Sequence, residues 1–250
     1  CMPTVSVAPK GSFSSDGQIY LNAAAWAELG FIVVVIDGRG TTHREKSFHH
    51  ASYGRMHLAS NLDDHVYGIK QLADRYSYMD IQRVGITGWG GCNAAAYGML
   101  AYPDFYKVGT AASVYDVRVM LGFEIYQGVP REGEYMDAVL GQLAGNLRGK
   151  LLLIHGMLDN FYHPAGMFQL IDALVQENKC FDMLMLPNGG HMWREGYILC
   201  RGWDYMVRHL QGNEPPEGFK LLAGKEFALE KIAEENNRGR HLKGRSQIFS

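Results

Sequence analysis

The sequence predicts an α/β fold built on a mostly parallel sheet with helices on both faces. Two observations carry this expectation. Short apolar runs of strand length alternate along the chain with amphipathic or small-residue stretches of helical length. Several of those runs are apolar at nearly every position, as strands are when both faces of their sheet are covered.

Taken in order, "FIVVVID" from residue 31 is β-branched and too short for a helix, so it is a strand. "HVYGIKQLADRY" from 65 has helical length and an apolar face. "RVGIT" at 83 is again a strand, and "NAAAYGMLA" from 93 is rich in helix-compatible Ala, Met and Leu. "KVGTAAS" at 107 and "KLLLIHG" at 150 are strands, "MFQLIDALVQ" from 167 a helix, "FDMLMLP" at 181 a strand, and "GYILCRGWDYMVRHL" from 196 a closing helix. From Val117 to Asn146 no strand pattern occurs, which suits an excursion over a site, and "FEIYQG" supplies aromatics there. The expected division is an α/β domain over residues 1–210 and an appended helix and tail over 211–250, polar apart from "FALEKIA".

Composition narrows the function. With 250 residues the chain can bury a sizeable core, and a net charge of −2 offers no basic excess for nucleic acid or an anionic membrane surface. A small molecule or peptide is the expected ligand. No apolar run approaches the ~18 residues that a bilayer-spanning helix needs. The four cysteines, Cys1, Cys92, Cys180 and Cys200, show neither metal-ligand spacing nor the density of a disulfide scaffold. The opening "CMPTVSV" has no charged n-region or long apolar h-region, and reads as a piece of something longer.

In open parallel sheets, catalytic groups gather at the carboxyl ends of the strands. Three such ends carry chemistry. "RVGITGWGGCNAAAYGML" is a strand, a glycine turn and a helix, the setting in which hydrolases mount a nucleophile as Gly-x-Ser-x-Gly, but it has no serine. "LLLIHGMLDNFYH" ends a strand in His155-Gly156 and places Asp159 just beyond. "LMLPNGGHMW" ends a strand in a Gly-rich loop that presents His191. The order nucleophile, acid, histidine is that of an α/β-hydrolase triad, and two of its three members stand at suitable places. A hydroxyl needs an imidazole to take its proton, and the imidazole needs a carboxylate to hold its tautomer. His155 reads as structural; His49, His50 and His57 read as solvated loop residues without metal-like partners.

"FIVVVIDGRGTTHREKSFHH", "RVGITGW", "YPDFYKVGTAAS", "LLLIHGMLDN" and "NGGHMW" together resemble the catalytic domain of the prolyl oligopeptidase (S9) family, in its dipeptidyl peptidase IV branch, over roughly residues 3 to 210. The resemblance implies a serine peptidase with Asp159 as triad acid and His191 as triad base. It implies that Tyr126, with Trp89, lines the substrate pocket, and that the peptide N–H of Gly90 donates to the oxyanion. It implies a peptide substrate and no metal or organic cofactor. It also points to an upstream β-propeller that this chain does not contain, leaves association of identical chains open, and favours a periplasmic or secreted location over the cytoplasm. Two departures stand out. The family takes an oxyanion-stabilising tyrosine from a strand end expected at the start of this chain, and no Tyr precedes Pro3. The turn after Thr87 is also one residue short of Gly-x-Ser-Gly-Gly-Gly.

Inserting one Ser between Trp89 and Gly90 restores both the register and the motif. The favoured expectation is therefore a nucleophilic serine at that junction, such as a covalently modified one, that the sequence as written omits. Three alternatives remain open: Cys92 as the nucleophile, an esterase-type hydrolase, and a catalytically inactive hydrolase fold that serves as a binding or scaffold module.

Overall fold

The structure is a computed structural model, and it describes residues 2–7, 17–41, 44–52, 61–89, 94–115, 140–191, 196–219 and 221. Contacts group the chain into two compact units, Cys1–Trp193 with Gly202–Pro215, and Arg194–Arg201 with Pro216–Ser250.

In the first unit, six strands form one sheet: β1 (Met2–Val7), β2 (Ile32–Val35), β3 (Met79–Trp89), β4 (Tyr106–Ala112), β5 (Lys150–Gly156) and β6 (Asp182–Leu186). Their spatial order is β2-β1-β3-β4-β5-β6. Every neighbouring pair is parallel. Helices α1 (Gly17–Glu28), α2 (Lys46–His49), α3 (Leu62–Arg75), α4 (Ala94–Ala101) and α5 (Pro164–Gln176) lie between the strands in sequence, and α6 (Gly196–Met206), whose residues 196–201 belong to the second unit, comes after β6. This is the expected α/β fold.

The central strands explain the uninterrupted apolar runs. From Leu151 to Gly156 every residue of β5 is buried, and β4 is buried from Val108 to Ala112, so both faces of the sheet are covered there. Val84, Ile86, Met99, Leu151, Leu153 and Met167 belong to one continuous core. α5 begins where Pro164 occupies the first turn and the His163 ring accepts from the Ala165 N–H at 3.2 Å.

One strand departs from the sequence reading, which assigns no strand to the first seven residues. Met2–Val7 forms β1, which lies between the edge strand β2 and β3. Its segment "PTVSV" mixes hydroxyls with valines, so no apolar run announces it. Yet Thr4 is as buried as Val5. The strand end expected at Pro3 is consequently at Val7, level with Thr87 of β3.

In the second unit, the Arg201 guanidinium lies 5.4 Å from the centre of the Tyr197 ring, and the Leu221 carbonyl leaves no room for a side chain at Gly196. Among the described residues no helix is long and apolar enough to cross a membrane.

Candidate active site

β5 and β6 end side by side, with His155 level with Met185 and Gly156 with Leu186. The loops that leave them are stitched together by backbone hydrogen bonds. Met157 N–H donates to the Leu186 carbonyl at 2.9 Å, and Leu158 N–H donates to the Gly189 carbonyl at 2.9 Å. The approach is so close that a Cβ built on Gly156 would lie 2.4 Å from the Gly189 oxygen. Only glycine fits there, which gives the His-Gly of the strand end its physical reason.

This contact brings Asp159 and His191 together across 32 positions of sequence. His191 Nδ1 lies 2.9 Å from Asp159 Oδ2. A carboxylate oxygen only accepts, so Nδ1 carries the proton, and in the neutral ring Nε2 is left with a lone pair. Asp159 is 2 % exposed, but its charge is not orphaned. Its Oδ1 accepts from the Phe161 N–H at 2.9 Å and the Tyr162 N–H at 2.8 Å, an Asx-type turn closed twice. The His191 ring sits 4.6 Å from the Tyr162 ring, edge to face, and 4.8 Å from that of Phe161. Tyr162 in turn stacks on Tyr115 at 4.2 Å.

The two expected triad members therefore meet in hydrogen-bonding geometry. Trp89 occupies the last position of β3, two strands from the acid, opposite Ala112 of β4. Gly90 and Cys92 fall in 90–93, and Tyr126 in 116–139; both stretches lie outside the described residues. His155, read from the sequence as structural, is fully buried, with Nε2 2.8 Å from the Tyr162 carbonyl and 3.7 Å from Asp159 Oδ2. Burial pushes its imidazole below the ordinary range, against the pull of the Tyr162 carbonyl and the Asp159 charge, so the ring is neutral at pH 7. Sequence reasoning missed Tyr162 altogether. It acts through its peptide group as well as its ring, and a peptide group leaves no mark on residue identity. Among the described residues, no cluster of three or more His, Cys, Asp or Glu could hold a metal ion.

Comparison with known proteins shows the family. The model of the prolyl oligopeptidase family, Peptidase_S9, matches residues 18–212. The chain belongs to this family. It is 33% identical to human dipeptidyl peptidase 8 over 211 residues, which cover 79% of this chain and 23% of that protein. It is 29% identical to dipeptidyl peptidase family member 1 of Caenorhabditis elegans over 168 residues, 64% of this chain and 20% of that protein. Among solved structures, Porphyromonas gingivalis dipeptidyl peptidase 4 is similar with a TM-score of 0.72 and 25% identity, over 84% of this chain and 31% of that one. The resemblance to the dipeptidyl peptidase IV branch and the α/β-hydrolase fold are thus both shown, and this chain spans about a quarter of the length of the curated relatives it matches.

Proposed function

We propose that this prolyl oligopeptidase family chain is the hydrolase domain of a serine peptidase of dipeptidyl peptidase type, cleaving peptide bonds through an acyl-enzyme. The observation that carries the reading is the 2.9 Å bond from His191 Nδ1 to the buried Asp159 carboxylate. It leaves Nε2 as the base. His191 would take the proton of a serine between Trp89 and Gly90 as the serine oxygen attacks the peptide carbonyl, then give it to the departing amine. Asp159 would hold the tautomer and stabilise the imidazolium. The Gly90 N–H would stabilise the oxyanion, and Trp89 and Tyr126 would line the pocket for the residue before the cleaved bond. No metal or organic cofactor enters these steps. An upstream β-propeller would supply the anchor for the substrate's amine, and the division at residue 210 into catalytic domain and tail belongs to the same proposal.

The test is mass spectrometry of the tryptic peptide Val84–Lys107 before and after treatment with a fluorophosphonate probe. A peptide heavier by one serine residue, with the probe on that serine, is the expected result. A peptide of the written mass that takes no probe would make the chain a non-catalytic binding module, the reading that its written turn favours. Modification confined to Cys92 would make the thiol the nucleophile. Chromogenic dipeptide amides and simple esters, assayed side by side, separate peptidase from esterase.

A further inference from the structure

We propose that His155 is a positioning residue for both the acid and the base, acting through Tyr162. The inference rests on the reading of Asp159 and His191 as the catalytic pair. The Tyr162 carbonyl can only accept, so the 2.8 Å contact requires His155 to carry its proton on Nε2 and donate it there. The peptide N–H of the same residue donates to Asp159 Oδ1 at 2.8 Å, and its ring meets the His191 ring edge to face at 4.6 Å. One side chain at the end of β5 therefore anchors the residue that orients the carboxylate with its amide and the imidazole with its ring.

A purely structural histidine would not need this arrangement. His155 is fully buried and, among the described residues, its Nδ1 meets no hydrogen-bond partner, so half of its hydrogen-bonding capacity goes unused there. An apolar side chain of similar size would avoid that penalty. What the imidazole provides is the single donor aimed at the turn between Asp159 and α5. Its neutrality matters too, because Nε2 is only 3.7 Å from Asp159 Oδ2. A charged group at that distance would compete with His191 for the carboxylate, whereas a neutral N–H engaged by a carbonyl does not.

The test uses the full chain and does not depend on turnover. In the parent protein, 15N NMR of the imidazoles should show His155 protonated on Nε2 alone, and the His191 Nδ1 proton as a low-field, slowly exchanging resonance. A His155 protonated on Nδ1 would overturn the proposal. In His155→Leu, folded by circular dichroism, the His191 Nδ1 resonance should be lost to exchange. Retention at the parent shift would overturn the proposal. Should His155→Leu fail to fold, the decision falls to His155→Gln and His155→Asn. A glutamine amide reaches the Nε2 position and should retain the resonance. An asparagine amide reaches only the Nδ1 position and should lose it; equal behaviour of the two would refute the proposal. Where the parent hydrolyses a dipeptide amide, loss of the donor should lower kcat about tenfold with KM unchanged, as for other orienting contacts one step from the chemistry. A parent that shows the NMR signature without turnover or probe labelling would sink the peptidase reading and leave the positioning result standing.

Discussion

The molecule holds two carboxylates against turns that follow strands, Asp64 from the first turn of α3 and Asp159 from the loop after β5, in opposite ways. Beyond β2, Asp64 faces the Asp-Gly-Arg-Gly turn and takes a fork of hydrogen bonds from Arg39, through its backbone N–H at 2.7 Å, Nε at 3.1 Å and Nη2 at 2.8 Å. Beyond β5, Asp159 is more deeply buried, and its hydrogen bonds come from two peptide N–H groups and an imidazole. The first arrangement neutralises a charge. The second leaves a charge uncancelled: peptide dipoles satisfy the carboxylate without neutralising it, which on the proposed function is what an imidazolium formed during reaction requires. A guanidinium in place of His191 would bind Asp159 more tightly and leave no base.

The sharpest way to break this comparison is to remove each charge. In Asp159→Asn the amide oxygen can keep the Phe161 and Tyr162 N–H groups while the NH2 turns toward His191. The ring must then accept at Nδ1 and carry its proton on Nε2, where the base should be. We expect kcat to fall about 10⁴-fold, as it does when a triad carboxylate is so replaced elsewhere. Asp64→Asn should leave kcat within a factor of two or so, because the hydrogen bonds of Asp64 hold Arg39 of the turn and not the Asp159–His191 pair. Its effect should be a loss of at most about 1 kcal/mol in urea denaturation, the ordinary worth of a partly exposed ion pair. Equal effects on kcat would void the distinction.

The glycines beside the two carboxylates sharpen the same contrast. A Cβ on Gly156 would meet the Gly189 carbonyl oxygen at 2.4 Å and its carbon at 2.7 Å, both backbone atoms of the loop that presents His191. A Cβ on Gly38 would meet Asn61 Cβ and Asp64 Oδ2 at 3.3 Å, contacts that a few tenths of an ångström relieve. Gly156→Ala should therefore cost about 1–3 kcal/mol, the usual range for overpacking, and remove the His191 Nδ1–H signal. Gly38→Ala should cost less than half as much and leave that signal in place. Denaturation midpoints with one-dimensional proton spectra of both variants decide the matter.

How far the sequence reaches depends on which atoms make the site. β5 is legible end to end, because seven residues of "KLLLIHG" declare a strand and its stop. Asp159 and His191 are legible because each is an ionisable group just past such a stop, and side-chain identity is what letters record. Gly156 is legible as a turn, but its reason lies in a second loop more than thirty residues away. Tyr162 is invisible: its N–H and carbonyl carry the site, and every residue but proline has both. β1 escapes for a related cause, since a buried Thr4 and an interleaved serine look like a loop until neighbouring strands pair with them.

The smallest effect separates the two regions along the pH axis. Each contains a buried histidine, His65 next to Asp64 and His155 near Asp159, and burial pushes both imidazoles below 6.5. For His65 the Ile36 backbone hydrogen bond and the Asp64 and Asp37 charges oppose that push without overcoming it. The unfolded chain takes up these protons near pH 6.5 and the folded chain only at lower pH. Stability is thus complete above 6.5 and declines as pH falls below it. Asp64 behaves differently. Burial raises its carboxyl, but the Arg39 hydrogen bonds and charge outweigh burial and hold it below 3.8. Its contribution persists above 3.8 and disappears as pH falls through the lower folded value. Tm against pH should accordingly fall in two stages. His65→Gln and His155→Gln should each flatten the first stage and leave the second, whereas Asp64→Asn should flatten the second and, by removing a charge that holds His65 up, deepen the first. A first stage untouched by either histidine variant would mean that the neutral imidazoles of the two corners do not set the acid sensitivity of this fold.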